Sequence, residues 1–139
     1  MKLNESHERA LMSGLFVIEC DLQRMKASLR DYGSAEQAIT YRVRDNVDHE
    51  SKSKILKVIT AMLEEIRQMK ETFELEADER SLKAEIGAAL TEIWTILVDL
   101  EPERLRGYGY LSESEKALIE THVSILLSKL DELVKLLNP

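Results

Sequence analysis

The chain has 139 residues, of which 44% are apolar and 32% charged, so it can bury a hydrophobic core and is not disordered throughout. Two prolines and five glycines are too few for the frequent turns of an all-β fold. The net charge of −7 argues against nucleic acid and anionic membrane surfaces as main partners, and a single cysteine excludes an intrachain disulfide or a cysteine-based zinc cluster.

The beginning of the chain gives the expectation for its location. The first residues lack the apolar stretch of a signal peptide. No apolar run approaches the roughly 20 residues that a membrane-spanning helix needs. We therefore expect a cytoplasmic protein.

Apolar residues recur at alternating spacings of four and three in four segments, which keeps one stripe along each helix. The pattern predicts helices over about residues 5–31, 50–75, 79–100 and 113–137, within a single domain that spans residues 1–139. Four such helices predict an all-α fold, an antiparallel up-down four-helix bundle. The stripes are Leu11, Leu15, Ile18, Leu22, Met25 and Leu29; Ile55, Ile59, Met62, Ile66, Met69 and Phe73; Leu82, Ile86, Ala89, Ile93, Leu97 and Leu100; and Ile119, Val123, Leu126, Leu130, Leu133 and Leu137.

Short polar side chains mark the predicted helix starts. Asp48 or Ser51 can cap the second helix, and Asp78 opens the third. Ser112 and Glu115 have the spacing of a capping box, which is the clearest start signal in the chain.

Two connections are longer than a bundle requires. Residues 34–47 carry Ile39, Tyr41, Val43 and Val47, so we expect this excursion between the first two helices to pack, as a short helix or in an irregular form. In the third connection, Pro102 begins one predicted helical turn, and a glycine-rich loop follows.

The predicted stripes contain no ionisable side chain. Bundle enzymes place metal ligands or acids on inward positions. No histidine follows a glutamate at a spacing of three, which excludes a ferritin-like di-iron centre. No glutamate precedes an aspartate at that spacing, so half of the magnesium ligands of all-α NTP pyrophosphatases are missing. The sequence predicts no catalytic residue, metal or cofactor, and thus a protein that is not an enzyme.

The third predicted helix is apolar on more than one side. Between Ile86 and Val98 its only charged residue is Glu92, and the first helix also has an uncharged stretch over residues 11–18. A helix that is apolar nearly all round is buried on both sides. We predict a homodimer that forms through Phe16, Val17, Cys20, Ala84, Ala88, Thr91, Trp94, Thr95 and Val98. Two alternatives stay open: residues 34–47 cover this apolar face within one chain, or the face is exposed to solvent.

Two other functions stay open beside this protein–protein contact. Arg104, Arg106, Tyr108 and Tyr110 surround two glycines and could bind a small molecule or an anion. His49, followed by a glutamate at a predicted helix start, is similar to the phosphoacceptor box of histidine kinases, although the proline of that box is missing. That similarity implies a phosphotransfer protein.

Overall fold

The computed structural model describes residues 1–30 and 38–139. The predicted end of the first helix at residue 31, and the beginning of the connection over residues 34–47, lie outside the described residues. The described residues form five α-helices, one 3₁₀ turn and no strand, so the predicted all-α class is confirmed. The helices are α1 (Glu5–Arg30), α2 (His49–Thr72), α3 (Leu82–Asp99), α4 (Pro102–Leu105) and α5 (Glu113–Leu137), and the 3₁₀ turn is Arg106–Tyr108.

The chain divides into two compact units, an N-terminal hairpin (Met1–Ala77) and a C-terminal hairpin (Asp78–Pro139). In the N-terminal hairpin α1 packs on α2, and the amino group of Met1 donates to the carbonyl oxygen of Thr72 at 2.8 Å. In the C-terminal hairpin α3 packs on α5, and a Cβ atom at Gly87 would lie 3.8 Å from Cδ2 of Leu137. Each contact joins the start of one helix to the end of the other, so both hairpins are antiparallel.

Side chains cap the helix starts. The capping box is formed as predicted: the Glu115 N–H donates to Ser112 Oγ at 3.1 Å, and the Ser112 N–H donates to Glu115 Oε1 at 3.3 Å. Helix α3 begins later than the predicted start at Asp78. Ser81 caps it instead, because its Oγ accepts the Ala84 N–H at 3.2 Å.

Asp48 caps α2 and makes the helix start sensitive to pH. The Ser51 N–H and hydroxyl donate to its carboxylate at 2.8 and 3.0 Å, and these bonds hold the pKa of Asp48 below its ordinary value. A carboxyl group whose pKa is lowered by folding stabilises the fold above its unfolded pKa. That stabilisation is lost as the pH falls through the folded pKa.

We therefore expect the unfolding free energy to fall on acidification below about pH 4, in part through Asp48. Asp48→Asn keeps an oxygen acceptor that does not titrate, so the unfolding free energy of this variant should fall less steeply on acidification. Urea unfolding followed by circular dichroism between about pH 2 and pH 6 measures the effect. Identical pH profiles for the two proteins would contradict this role of Asp48.

Helix α2 ends in a Schellman motif without a glycine. The Leu75 N–H donates to the Lys70 carbonyl at 2.9 Å, and the Glu74 N–H donates to the Glu71 carbonyl at 3.3 Å. Glu74 adopts a φ of 53°, in the left-handed region that favours glycine. The next side chain, Leu75, is only 3% exposed, so the motif folds an apolar residue back onto the hairpin.

The buried cores of the two hairpins are small and contain no polar or charged side chain among the described residues. Each hairpin has one buried layer between its two long helices, since a helix that faces one neighbour can bury only one side. The buried residues are Leu22, Ile59 and Leu75 in the N-terminal hairpin, and Leu90, Leu97, Val123 and Leu130 in the C-terminal hairpin.

Helix α3 buries one edge of the predicted stripe rather than its centre. Leu97 is the only residue of that stripe that is buried, and Leu90, outside the stripe, is buried with it. At about 100° per residue, Ile93 lies about 60° round the helix from Leu90, so the contact with α5 is centred to one side of the predicted stripe. The other four large residues of the stripe are 40–73% exposed: Leu82, Ile86, Ile93 and Leu100.

The expectation that residues 34–47 pack is not met by the described part of this segment. Residues 38–48 form no helix, and the side chain of Ile39 is 98% exposed. Tyr41, Val43 and Val47 are exposed as well. Of the two forms considered, the irregular one is therefore found in the described residues of this segment.

Candidate functional site

The predicted face of α3 is exposed and almost free of charge. Trp94 is 54% exposed, and only Val98 of the six predicted residues on this helix is half-buried. The hydroxyl of Thr91 donates to the Gly87 carbonyl at 3.0 Å, and the hydroxyl of Thr95 donates to the Thr91 carbonyl at 3.0 Å. Because both hydroxyls are satisfied inside the helix, the threonines add no unpaired polar group to the face.

An apolar groove of about 830 Å³ runs beside Trp94 between α3 and α5. Gly87 lies on its α3 side, where the missing side chain leaves room, and Leu127 and Val134 line its α5 side. The one carboxylate of the lining, Asp131, accepts a hydrogen bond from Lys135 Nζ at 2.9 Å, and this bond raises the pKa of Lys135. The groove therefore presents an apolar floor with its charge already paired.

A second apolar surface lies on the other flank of the C-terminal hairpin. Ile86 and Ile93 of α3 are exposed, as are Leu126 and Leu133 of α5. All four lie near the α3–α5 contact, yet on the side away from Trp94 at about 100° per residue. The C-terminal hairpin is thus apolar on two flanks, as expected for an element with more than one neighbour.

The predicted face of α1 is less exposed than that of α3. Val17 is exposed, whereas Phe16 and Cys20 are half-buried. The thiol of Cys20 is free. Of the three predicted residues on α1, Val17 is therefore the most accessible.

Carboxylates already lie beside both arginines of the predicted anion loop. Arg104 Nη1 lies 4.0 Å from Asp99 Oδ1, and Arg106 Nη1 lies 3.4 Å from Glu103 Oε2. An incoming anion would have to compete with these carboxylates for the guanidinium groups.

The two tyrosines of the same loop point into solvent. Tyr108 and Tyr110 are each 90% exposed, and Gly109 between them has a φ of 145°, which a side chain would strain. The described structure does not bring these tyrosines onto the arginines, since no hydrogen bond joins the two pairs among the described residues.

His49 is the first residue of α2 and is exposed there. Its ring makes no hydrogen bond to another described residue. Within residues 1–30 and 38–139, no group of three or more His, Cys, Asp or Glu side chains is placed to hold a metal ion. None of the helices described is long and apolar enough to cross a membrane.

Residues of α5 are the part of the site that sequence analysis missed. Leu127 and Val134 line the groove beside Trp94, although the prediction placed the contact face on α1 and α3 alone. The pairing of α3 with α5 could have been inferred from their adjacency along the chain, since consecutive helices joined by short connections pack together.

No family model, curated protein or solved structure matches this chain. Function is therefore inferred from the surfaces of the two hairpins.

Proposed function

We propose that this chain is a non-enzymatic helical protein that acts through protein–protein contact and self-associates through the apolar faces of α1 and α3. One observation carries the proposal: Trp94 is half exposed on an almost uncharged helix face, beside an apolar groove. Tryptophan is among the residues that contribute most to binding energy at protein interfaces. A homodimer is the oligomer that we propose.

The energetics favour burial of this face. An aromatic side chain buries 150–250 Å², so covering the exposed half of Trp94 is worth about 2–3 kcal/mol per copy. The threonine hydroxyls are satisfied within α3 and add little desolvation cost. Glu92, the only charge in this part of α3, lies about 160° round the helix from Trp94 and can stay in water.

The shape of the face suits a second copy of the same chain. Gly87 and Trp94 lie two helical turns apart on one flank of α3. If two α3 helices pack antiparallel about a two-fold axis between these positions, each Trp94 lies opposite the groove at Gly87 of the other copy. A two-fold interface needs this kind of self-complementarity, since the same patch serves both partners.

The remaining parts of the proposal come from the sequence. We propose that the four long helices assemble as an antiparallel up-down bundle, and that the protein is cytoplasmic. An acidic chain with a net charge of −7 makes nucleic acid and membrane surfaces poor partners. The anion-binding and phosphotransfer alternatives stay predictions, because no contact of Arg104, Arg106 or His49 favours them.

We expect the wild-type protein to have twice the 16.0 kDa chain mass at micromolar concentration, measured by light scattering after size-exclusion chromatography. Trp94→Glu places a charge in the contact and should weaken dimerisation about a hundredfold or more. Val17→Glu places a charge on α1 and tests in the same way whether α1 contributes to dimerisation.

Glu92→Gln is the matched control, because Glu92 lies about 160° round α3 from Trp94, away from the groove, and its replacement should leave the dimer intact. Circular dichroism of each variant checks that the helices persist. A single-chain mass for the wild type, or an unchanged dimer in Trp94→Glu, would contradict the proposal.

A further inference from the structure

Residues 39–43 have the pattern of a β-strand in a protein whose described residues contain none. The sequence alternates apolar and polar residues, so an extended strand would have Ile39, Tyr41 and Val43 on one side and Thr40 and Arg42 on the other. In the structure Ile39 and Thr40 form a bend, which has to straighten before the segment can pair. Four of these five residues are β-branched or aromatic, the types that strands prefer. Such a segment is suited to pair with another strand.

The structure leaves this segment without a partner among the described residues. All three of its apolar side chains are exposed. The backbone groups of residues 39–43 make no hydrogen bond to another described residue. Strands are stable only when their backbone groups are paired, so an added strand would both pair these groups and cover the apolar side chains.

We propose that residues 39–43 pair with the same residues of a second copy, as an antiparallel two-stranded ladder with its two-fold axis at Tyr41. In this register Ile39 lies opposite Val43 of the other copy, and the two Tyr41 side chains are neighbours. Arg42 lies opposite Thr40, so no arginine faces another arginine. Apolar and aromatic cross-strand pairs stabilise a ladder, and like charges directly opposite destabilise it.

Neighbouring registers lack this complementarity. An axis at Arg42 makes the two Arg42 side chains direct neighbours, and an axis at Val43 places Arg42 opposite Arg44. An axis at Thr40 pairs Ile39 with Tyr41 and leaves Val43 without an apolar partner. A two-fold axis between two residues would pair apolar with polar residues. The register with its axis at Tyr41 is therefore the one that the sequence favours.

The ladder rests on the proposed self-association through α3. An isolated two-stranded ladder is only marginally stable in water. Two copies held together elsewhere present their strands to each other at a high effective concentration, which makes the second contact favourable.

Single cysteines test the register. Tyr41→Cys should form a disulfide-linked dimer under mild oxidation, because directly opposed residues meet the distance limits of a disulfide. Ile39→Cys alone and Val43→Cys alone should each give about tenfold less cross-linked dimer than Tyr41→Cys. In each of these variants the two equivalent cysteines lie four residues apart along the ladder. An equal mixture of these two variants should cross-link again, between position 39 of one copy and position 43 of the other.

Peptide mapping by mass spectrometry assigns each disulfide and separates it from any bond of Cys20. With the Tyr41 pair at a non-hydrogen-bonded position of the ladder, the Thr40 N–H faces the other strand, so adding Thr40→Pro to Tyr41→Cys removes a ladder hydrogen bond and should suppress the cross-link. Equal linkage at positions 39, 41 and 43 individually, or none at position 41, would overturn the ladder.

The chain mass distinguishes the two proposals. If Tyr41→Cys stays dimeric by light scattering but forms no cross-link, the ladder is wrong and the dimer stands. If the protein is monomeric and forms no cross-link, both are wrong. If the cross-link forms with equal yield in Trp94→Glu, the ladder stands and the α3 interface is wrong.

Discussion

Replacing Leu130 with alanine is expected to lower the free energy of unfolding by about 2–5 kcal/mol. Leu130 is 6% exposed and forms the buried cluster of the C-terminal hairpin with Leu90 and Leu97, against which Leu127 and Leu137 pack. In so small a core, one truncated leucine leaves a cavity that few neighbours can fill. Urea unfolding followed by helical circular dichroism measures the loss.

Ile125→Ala is the matched control on the same helix, because Ile125 is exposed. It removes a side chain of similar size from the surface and should change the unfolding free energy by less than about 0.5 kcal/mol. Equal effects of the two substitutions would show that Leu130 does not lie in the core.

The Schellman motif at the end of α2 gives two expected effects of opposite sign. Leu75→Ala should lower the unfolding free energy by about 2–4 kcal/mol, since this nearly inaccessible side chain anchors the motif on the N-terminal hairpin. Glu74→Gly should raise it by about 0.5–1 kcal/mol, because glycine adopts the positive φ of this position without strain.

Glu76→Ala serves as the control for both, since Glu76 follows the motif and is exposed. The same urea titrations compare the four proteins. A destabilised Glu74→Gly variant would contradict the strain assigned to this position, and a neutral Leu75→Ala would contradict its role as the anchor.

The helix starts could be predicted where a local signal decides them. Ser112 and Glu115 form a capping box between residues three positions apart, and Asp48 caps α2 through a residue at the same spacing. Helix α5 accordingly has the predicted bounds. The end of α2 lacked such a signal, because Glu74 takes the position where a glycine would normally mark it.

The choice of buried face could not be predicted from one helix alone. In α3 several sides are apolar, so periodicity selects Ile86 and Ile93 as readily as Leu90. Packing against α5 decides between them, and this depends on residues more than thirty positions away. The groove beside Trp94 was missed for the same reason, since half of its lining belongs to α5.

The chain contains one tryptophan, and that residue lies on the proposed contact face. Indole emission moves to shorter wavelengths when water around the ring is replaced by apolar atoms. With excitation at wavelengths that tyrosine does not absorb, the emission of the unmodified protein therefore reports on this surface, without a signal from the four tyrosines. A dilution series read by this emission would follow assembly and disassembly directly, with no label attached.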